Sequence, residues 1–159
     1  MTQIARPELD QYVPHKGRIF LLDRVVGRGQ DEAWLESEVD IHSGCLFFDP
    51  ERQGVPAWVA FEYMAQSIAA LSGFVAKETN GAEPKIGFIL AVRDFVAQQA
   101  YFPSGTTISI RVKQIFKDGN LVSFDCLLRS GPNQLVSSVI NAIEVDESSL
   151  ESMMGEQHV

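Results

Sequence analysis

Cysteine is scarce in this 159-residue chain: only Cys45 and Cys126, with no C-x-x-C pair. That excludes a disulfide framework and makes the cytoplasm the expected compartment. Histidine is equally scarce, three residues that do not cluster with other metal ligands, so neither a zinc site nor any other metal site is expected. No cofactor-binding motif stands out either. Positive charge also falls short, with 13 Lys and Arg against 21 Asp and Glu and a net charge of −8. Nucleic acid, whose phosphates demand a basic face, is excluded as a natural partner. An acidic protein partner would need a local basic patch, and Lys16 with Arg18, Lys85 with Arg93, and Lys113 with Lys117 are the candidates. The opening MTQIARPELDQ holds no apolar run, which argues against a secretory signal. Internal repeats and low-complexity segments are lacking. What is present, 45% apolar and 21% charged residues, is the composition of an ordinary globular domain that buries a core without staples. The expectation is one domain over residues 1–146 and a polar tail over 147–159.

One stretch dominates, residues 55–77, VPAWVAFEYMAQSIAALSGFVAK. Pro56 suits the first turn of a helix, where its missing N–H has no partner in any case. No breaker follows until Gly73, and apolar residues occupy most of the helical wheel, so the spacing predicts a buried helix. Its length would just cross a bilayer, but Glu62, Gln66, Ser67 and Ser72 interrupt it and no Lys/Arg cluster flanks it, so no membrane span is expected. Glu62 is the one charged residue among those apolar neighbours. A lone carboxylate there is costly to bury, so it is paired, protonated or functional.

Around that helix the chain reads as strands. Residues 18–26 (RIFLLDRVV) and 33–39 (AWLESEV) form a pair joined by a turn at 27–30. Residues 40–54 (DIHSGCLFFDPERQG) have neither helical nor strand period, and loops of that length inside a domain tend to be functional. Beyond the helix, apolar runs at 86–96, 106–116, 121–129 and 134–145 are separated by YFPSG, KDGN and GPN. The last three alternate and are joined by short turns, which predicts antiparallel hairpins. Two strands, one long helix and about four strands make an α+β fold, an antiparallel sheet wrapped around an apolar helix.

Three segments then carry a resemblance. PHKGRIFLLDRV (14–25) resembles the PH…FLLVDRV opening of the hot-dog-fold β-hydroxyacyl-acyl-carrier-protein dehydratases. VPAWVAFEYMAQ (55–66) resembles their FPGVLILEAMAQ helix start, and YFPSG (101–105) their V-x-P-G-D turn. The wording GVPAW…EYMAQ is most similar to a divergent branch found with aryl-polyene pigment biosynthesis. The resemblance implies a hot-dog fold, a dimer with itself or with a related subunit, and loss of water from a 3-hydroxyacyl thioester on an acyl carrier protein. One departure stands out. The family's Gly-His-Phe-Pro-Gly stretch before the helix reads FFDPERQG here, without histidine.

That reaction needs a base for the α-proton, an acid for the departing hydroxyl and donors for the thioester oxygen. Neutral imidazole suits the first, a desolvated carboxyl the second, and amides at a helix N-terminus the third. The resemblance puts the acidic role on Glu62, and Gln66, one turn on, holds either Glu62 or substrate. His42 is the nearest histidine in the loop. His15 matches a family position not normally counted as catalytic, and its plain reading is a histidine that caps or packs a turn. Ala57 and Trp58 are expected to aim amides at the substrate, and Phe47, Phe48, Trp58 and Phe61 to wall an acyl tunnel. Asp23 and Arg24 read as strand-end structure, and Cys45 has no positioned base. Three functions stay open: an active dehydratase, a hot-dog subunit that supports an active relative, or a hot-dog thioesterase.

Overall fold

The central helix needs apolar cover on most of its sides, and a strongly twisted sheet supplies it. The computed structural model describes residues 3–5, 19–29, 33–78, 86–145, 151–152 and 155. In chain order the strands are β1 (Ile4–Ala5), β2 (Arg24–Gly29), β3 (Trp34–Asp40) and β4 (Gly54–Pro56). A 3-10 turn, Ala57–Val59, leads into helix α1, Ala60–Glu78. Then come β5 (Ile86–Ala97), β6 (Tyr101–Pro103), β7 (Thr107–Asp118), β8 (Leu121–Ser130) and β9 (Asn133–Val145). Seven strands form one antiparallel sheet in the order β1-β2-β3-β7-β8-β9-β5, and β4 pairs with β6 in a separate ribbon.

Alternation decides which face meets the helix. Leu35, Ser37 and Val39 on β3, Ile108, Ile110 and Val112 on β7, and Val122, Phe124, Cys126 and Leu128 on β8 are all buried. Against them pack Tyr63, Met64, Ile68, Ala70, Leu71 and Phe74 of α1, which touches β3, β7 and β8. Full burial of a side chain of that size stabilises by about 1.5–3 kcal/mol, so this two-layer core is the main source of stability. Within it Ser37 and Ser67 share a 2.8 Å hydrogen bond, and the Ser67 hydroxyl also lies 2.7 Å from the Tyr63 carbonyl. An unsatisfied hydroxyl would be costly there, so this pair fixes the register of α1 on β3. By length and hydropathy the segment Ala57–Glu78 could cross a membrane, but it is the mostly buried core helix of this sheet.

The four late strands lie within two residues of expectation, but four other assignments need correction. Residues 19–23 are not strand; ladder pairing starts at Arg24, because the backbone of residues 19–21 is taken up by a helix side chain described below. Gly27–Gly29, expected as turn, lie inside β2 across a bulge between Val25 and Gly27. Pro56 does not open the helix; it ends β4, and α1 starts only at Ala60. Tyr101–Pro103, expected as a separator, is the partner of β4. The polar tail expected after residue 146 and the turn at 79–85 fall almost wholly outside the described residues.

Strand β5 ends the sheet with large apolar side chains in solvent: Phe88, Leu90 (55% exposed), Phe95 and Val96 (48%). The β4–β6 ribbon, by contrast, tolerates nothing larger than glycine at one point. A Cβ on Gly54 would meet the Phe102 carbonyl oxygen at 2.5 Å. Backbone cannot yield cheaply, so Gly54→Ala should destabilise the fold by about 1–3 kcal/mol in chemical denaturation, the usual cost of overpacking.

Candidate active site

Gln66 is completely buried on α1 and spends its whole amide. Its Nε2 donates to the Ile19 carbonyl at 2.8 Å and to Glu62 Oε1 at 3.1 Å, and its Oε1 accepts the Leu21 N–H at 2.8 Å. The i, i+4 spacing puts Glu62 and Gln66 on one helix face, and the amide binds residues 19–21 much as a strand would. Glu62 is half-buried in the first turn of α1, where the helix dipole favours negative charge.

The loop between β3 and β4 begins from a charged clamp. Arg24 donates to Glu38 and to both carboxylate oxygens of Asp40, each at 2.8 Å, and the Thr107 hydroxyl adds a fourth 2.8 Å bond on Asp40. Asp23 accepts the Asp40 N–H at 2.7 Å. The Arg24 guanidinium holds the Asp40 carboxyl down at about 2. Two turns follow, Cys45 N–H to the His42 carbonyl and Phe48 N–H to the Cys45 carbonyl, both 3.1 Å.

His42 is exposed, and its Nδ1 accepts the Gly44 N–H at 3.0 Å. A ring nitrogen that accepts carries no proton, so the neutral imidazole keeps its proton on Nε2. A Cβ on Gly44 would stand 3.0 Å from the ring, so glycine there keeps room for the imidazole. His42, Gly44, Cys45, Leu46 and Phe47 line a cavity of about 110 Å³, closed on the other sides by Phe20, Leu21, Asp23, Val39 and Tyr63. Phe47 stands edge-on to Trp58 with ring centroids 5.3 Å apart, and Trp58 is 61% exposed.

This geometry can be set beside known proteins. The family model for ApeP-like proteins, described as ApeP dehydratase, matches residues 7–154. The chain belongs to the ApeP-like dehydratase family. A structure titled as the dehydratase heterocomplex ApeI:P from Xenorhabdus doucetiae is similar at 26% identity, covering 92% of this chain and 96% of that one, with TM-score 0.80. Two further structures share the fold alone. Cj0977, a sigma28-regulated virulence protein from Campylobacter jejuni, has 11% identity over 86% of this chain and 85% of its own, TM-score 0.58. A hypothetical thioesterase with coenzyme A from Streptococcus pneumoniae TIGR4 has 6% identity over 77% and 84%, TM-score 0.60. No curated protein matches.

As an ApeP-like dehydratase the chain is an enzyme with the hot-dog architecture, a large antiparallel sheet around one helix. The structure joins Glu62 to Gln66, and His42 to Phe47 across one cavity, but Glu62 is not in that cavity's lining. Phe48 and Phe61 are half-buried, Phe48 packing on the core; Phe47 and Trp58 form an exposed aromatic lip rather than a closed wall. The expected open amide at Ala57 is corrected: its N–H donates to the Ala100 carbonyl at 2.8 Å, because β4 and the residues before β6 run side by side. The Trp58 N–H, next along, donates to no described residue. His15 lies outside the described residues. Sequence reasoning missed Tyr63, which is buried and lines the cavity, and whose only signal was a bulky polar-tipped residue in EYMAQ where the family segment has Ala.

Gln66→Leu would strand a carbonyl and an N–H of residues 19–21; at about 1–3 kcal/mol for a buried unmet partner, unfolding free energy should drop by at least that much. Amide exchange at Leu21 should rise with it. The Asp40 carboxyl is depressed, so its contribution is present above the ordinary value near 3.8 and is lost as pH falls through about 2. Stability of Asp40→Asn relative to wild type should therefore converge between pH 4 and pH 2 (roughly, from those two values) in acid titration.

Proposed function

We propose that this dehydratase removes water from a 3-hydroxyacyl thioester carried on an acyl carrier protein, giving the trans-2-enoyl product for aryl-polyene assembly. The observation that supports this most is the Gln66–Glu62 bond. A wholly buried amide positions one carboxyl in the first turn of the helix. The α-proton leaves to a base, the β-hydroxyl leaves with a proton, and the Trp58 amide faces the growing thioester charge. Glu62 serves as the acid for the hydroxyl in its protonated form, with the proton on the oxygen that Gln66 does not hold. His42 serves as the base once its proton moves from Nε2 to Nδ1, which breaks the Gly44 bond. One neutral hydrogen bond is worth about 1 kcal/mol, small beside a catalytic barrier, so the ring can reach that tautomer.

Glu62 and His42 do not share a cavity in one chain, and both the aromatic lip and strand β5 are exposed. We infer that a second hot-dog chain closes the site, with Glu62 of one subunit facing the partner's loop. The similar structure from Xenorhabdus doucetiae is a heterocomplex, which favours a related subunit over an identical copy. An exposed apolar edge strand is the surface such pairing uses. Cys45 and Cys126 form no disulfide among the described residues, and burial pushes Cys126 up to about 12, which fits a reducing compartment, the cytoplasm.

Glu62→Gln and His42→Ala should each lower turnover about a hundredfold or more with folding unchanged, the usual scale for a general acid or base. His15→Ala is the control. Loss of turnover in His15→Ala with full activity in His42→Ala would move the base to the opening PHKGR segment. Equal activity in wild type and both Glu62 and His42 variants, measured in a mixture with an active relative, would mark the chain as a supporting subunit.

A further inference from the structure

Tyr63 is 2% exposed, and its hydroxyl makes no hydrogen bond to any described residue. Its backbone carbonyl takes the Ser67 hydroxyl and its ring packs beside Phe102 at 6.4 Å, but neither contact uses the phenol oxygen. Buried hydroxyls are nearly always paired, so one without a partner among the described residues at the wall of a cavity points to a ligand. The cavity is the one lined by His42 and Phe47, and the rest of its wall is largely apolar: Phe20, Val39, Leu46. Among the described residues, the polar side chains that line it are His42 and Cys45 from the loop, Asp23 from the segment before β2, and Tyr63 from α1. The Asp23 carboxylate already accepts the Asp40 N–H, and the Cys45 thiol already donates to the Asp40 carbonyl at 3.3 Å. Tyr63, whose O–H meets no described acceptor, lines this cavity together with His42, and a donor so placed selects a ligand with an acceptor oxygen.

We propose that Tyr63 is a substrate-binding residue whose hydroxyl donates a hydrogen bond to an oxygen at the reacting end of the acyl substrate. This rests on the 3-hydroxyacyl substrate proposed above. Two oxygens qualify, the β-hydroxyl and the thioester carbonyl, and both accept. Burial, with the Cys45 and Asp23 charges nearby, pushes the phenol well above its ordinary value, so it stays protonated at all working pH. It is thus a binding donor and moves no proton; acid and base roles stay with Glu62 and His42.

The test uses inert analogues, 3-hydroxyoctanoyl and octanoyl pantetheine with nitrogen replacing the thioester sulfur, titrated into full-length wild type and Tyr63→Phe. Phenylalanine removes one oxygen and keeps the ring, and equal melting temperatures confirm the fold. Loss of about tenfold in affinity for the hydroxy analogue alone assigns the β-hydroxyl as partner, and equal loss for both assigns the carbonyl. Unchanged affinity for both overturns the inference while leaving the substrate proposal standing. A wild type that binds neither analogue overturns the substrate proposal and this inference together. Should Tyr63→Phe fail to fold, the Cζ carbon resonance of Tyr63 in labelled wild type decides. A shift on adding the hydroxy analogue supports contact with the phenol oxygen, and no shift at saturation overturns it.

Discussion

The three hydrogen bonds of the Gln66 amide are the interaction on which the site depends. A side chain with no exposure cannot turn to water, so both its protons and its oxygen must find partners inside the protein. It finds them on the segment before β2, which hydrophobic contact alone would leave free to slide, through the Ile19 carbonyl and the Leu21 N–H, and on its own helix, through the Glu62 carboxylate. An apolar helix in an apolar sheet has many registers of similar energy. The Gln66 amide and the Ser37–Ser67 pair, both buried and polar, penalise every register but one. Stability comes from the core, whereas the position of the carboxylate comes from these few polar bonds.

The loop that carries His42 is positioned by a different force. The Arg24–Asp40–Thr107 cluster ties the end of β3 to β2 and β7 just before the loop departs. Backbone bonds then bring the loop back, Ile41 N–H to Thr106 and Ser104 N–H to Gln53, both at 2.9 Å. A long segment without periodic structure thus has fixed ends, and internal bonds such as Cys45 N–H to His42 and Asp49 N–H to Gly54 hold what lies between. Such a scaffold suits a reacting side chain, which needs a rigid base and a little local freedom.

Much of this was legible in the sequence because periodicity is a local property. The helix, the four late strands and the wrapped α+β plan follow from spacing alone, and EYMAQ with the PHKGR segment adds the family. The errors arose where a distant group overrides local preference. RIFLLDRVV has strand composition, yet Gln66, 45 and 47 positions away from its two backbone partners there, claims its start. Pro56 has the look of a helix N-terminus, but β6 captures it as the end of a strand, and the Ala57 amide goes to Ala100. That the Tyr63 phenol has no partner among the described residues is invisible in sequence, since only a folded cavity reveals it. The tautomer of His42 is likewise a property of the Gly44 turn and not of the histidine.

The central claim is that this chain supplies a Gln66-held carboxylate for elimination of water. It is tested most directly by following a 3-hydroxyacyl-carrier thioester by mass spectrometry after incubation with the purified chain, alone and mixed with a related hot-dog subunit. The account predicts that the acyl group loses the mass of one water while still bound to the carrier, and that Glu62→Gln stops it. Release of the free 3-hydroxy acid would indicate a thioesterase and contradict the account. Water loss undiminished by Glu62→Gln would contradict it as well.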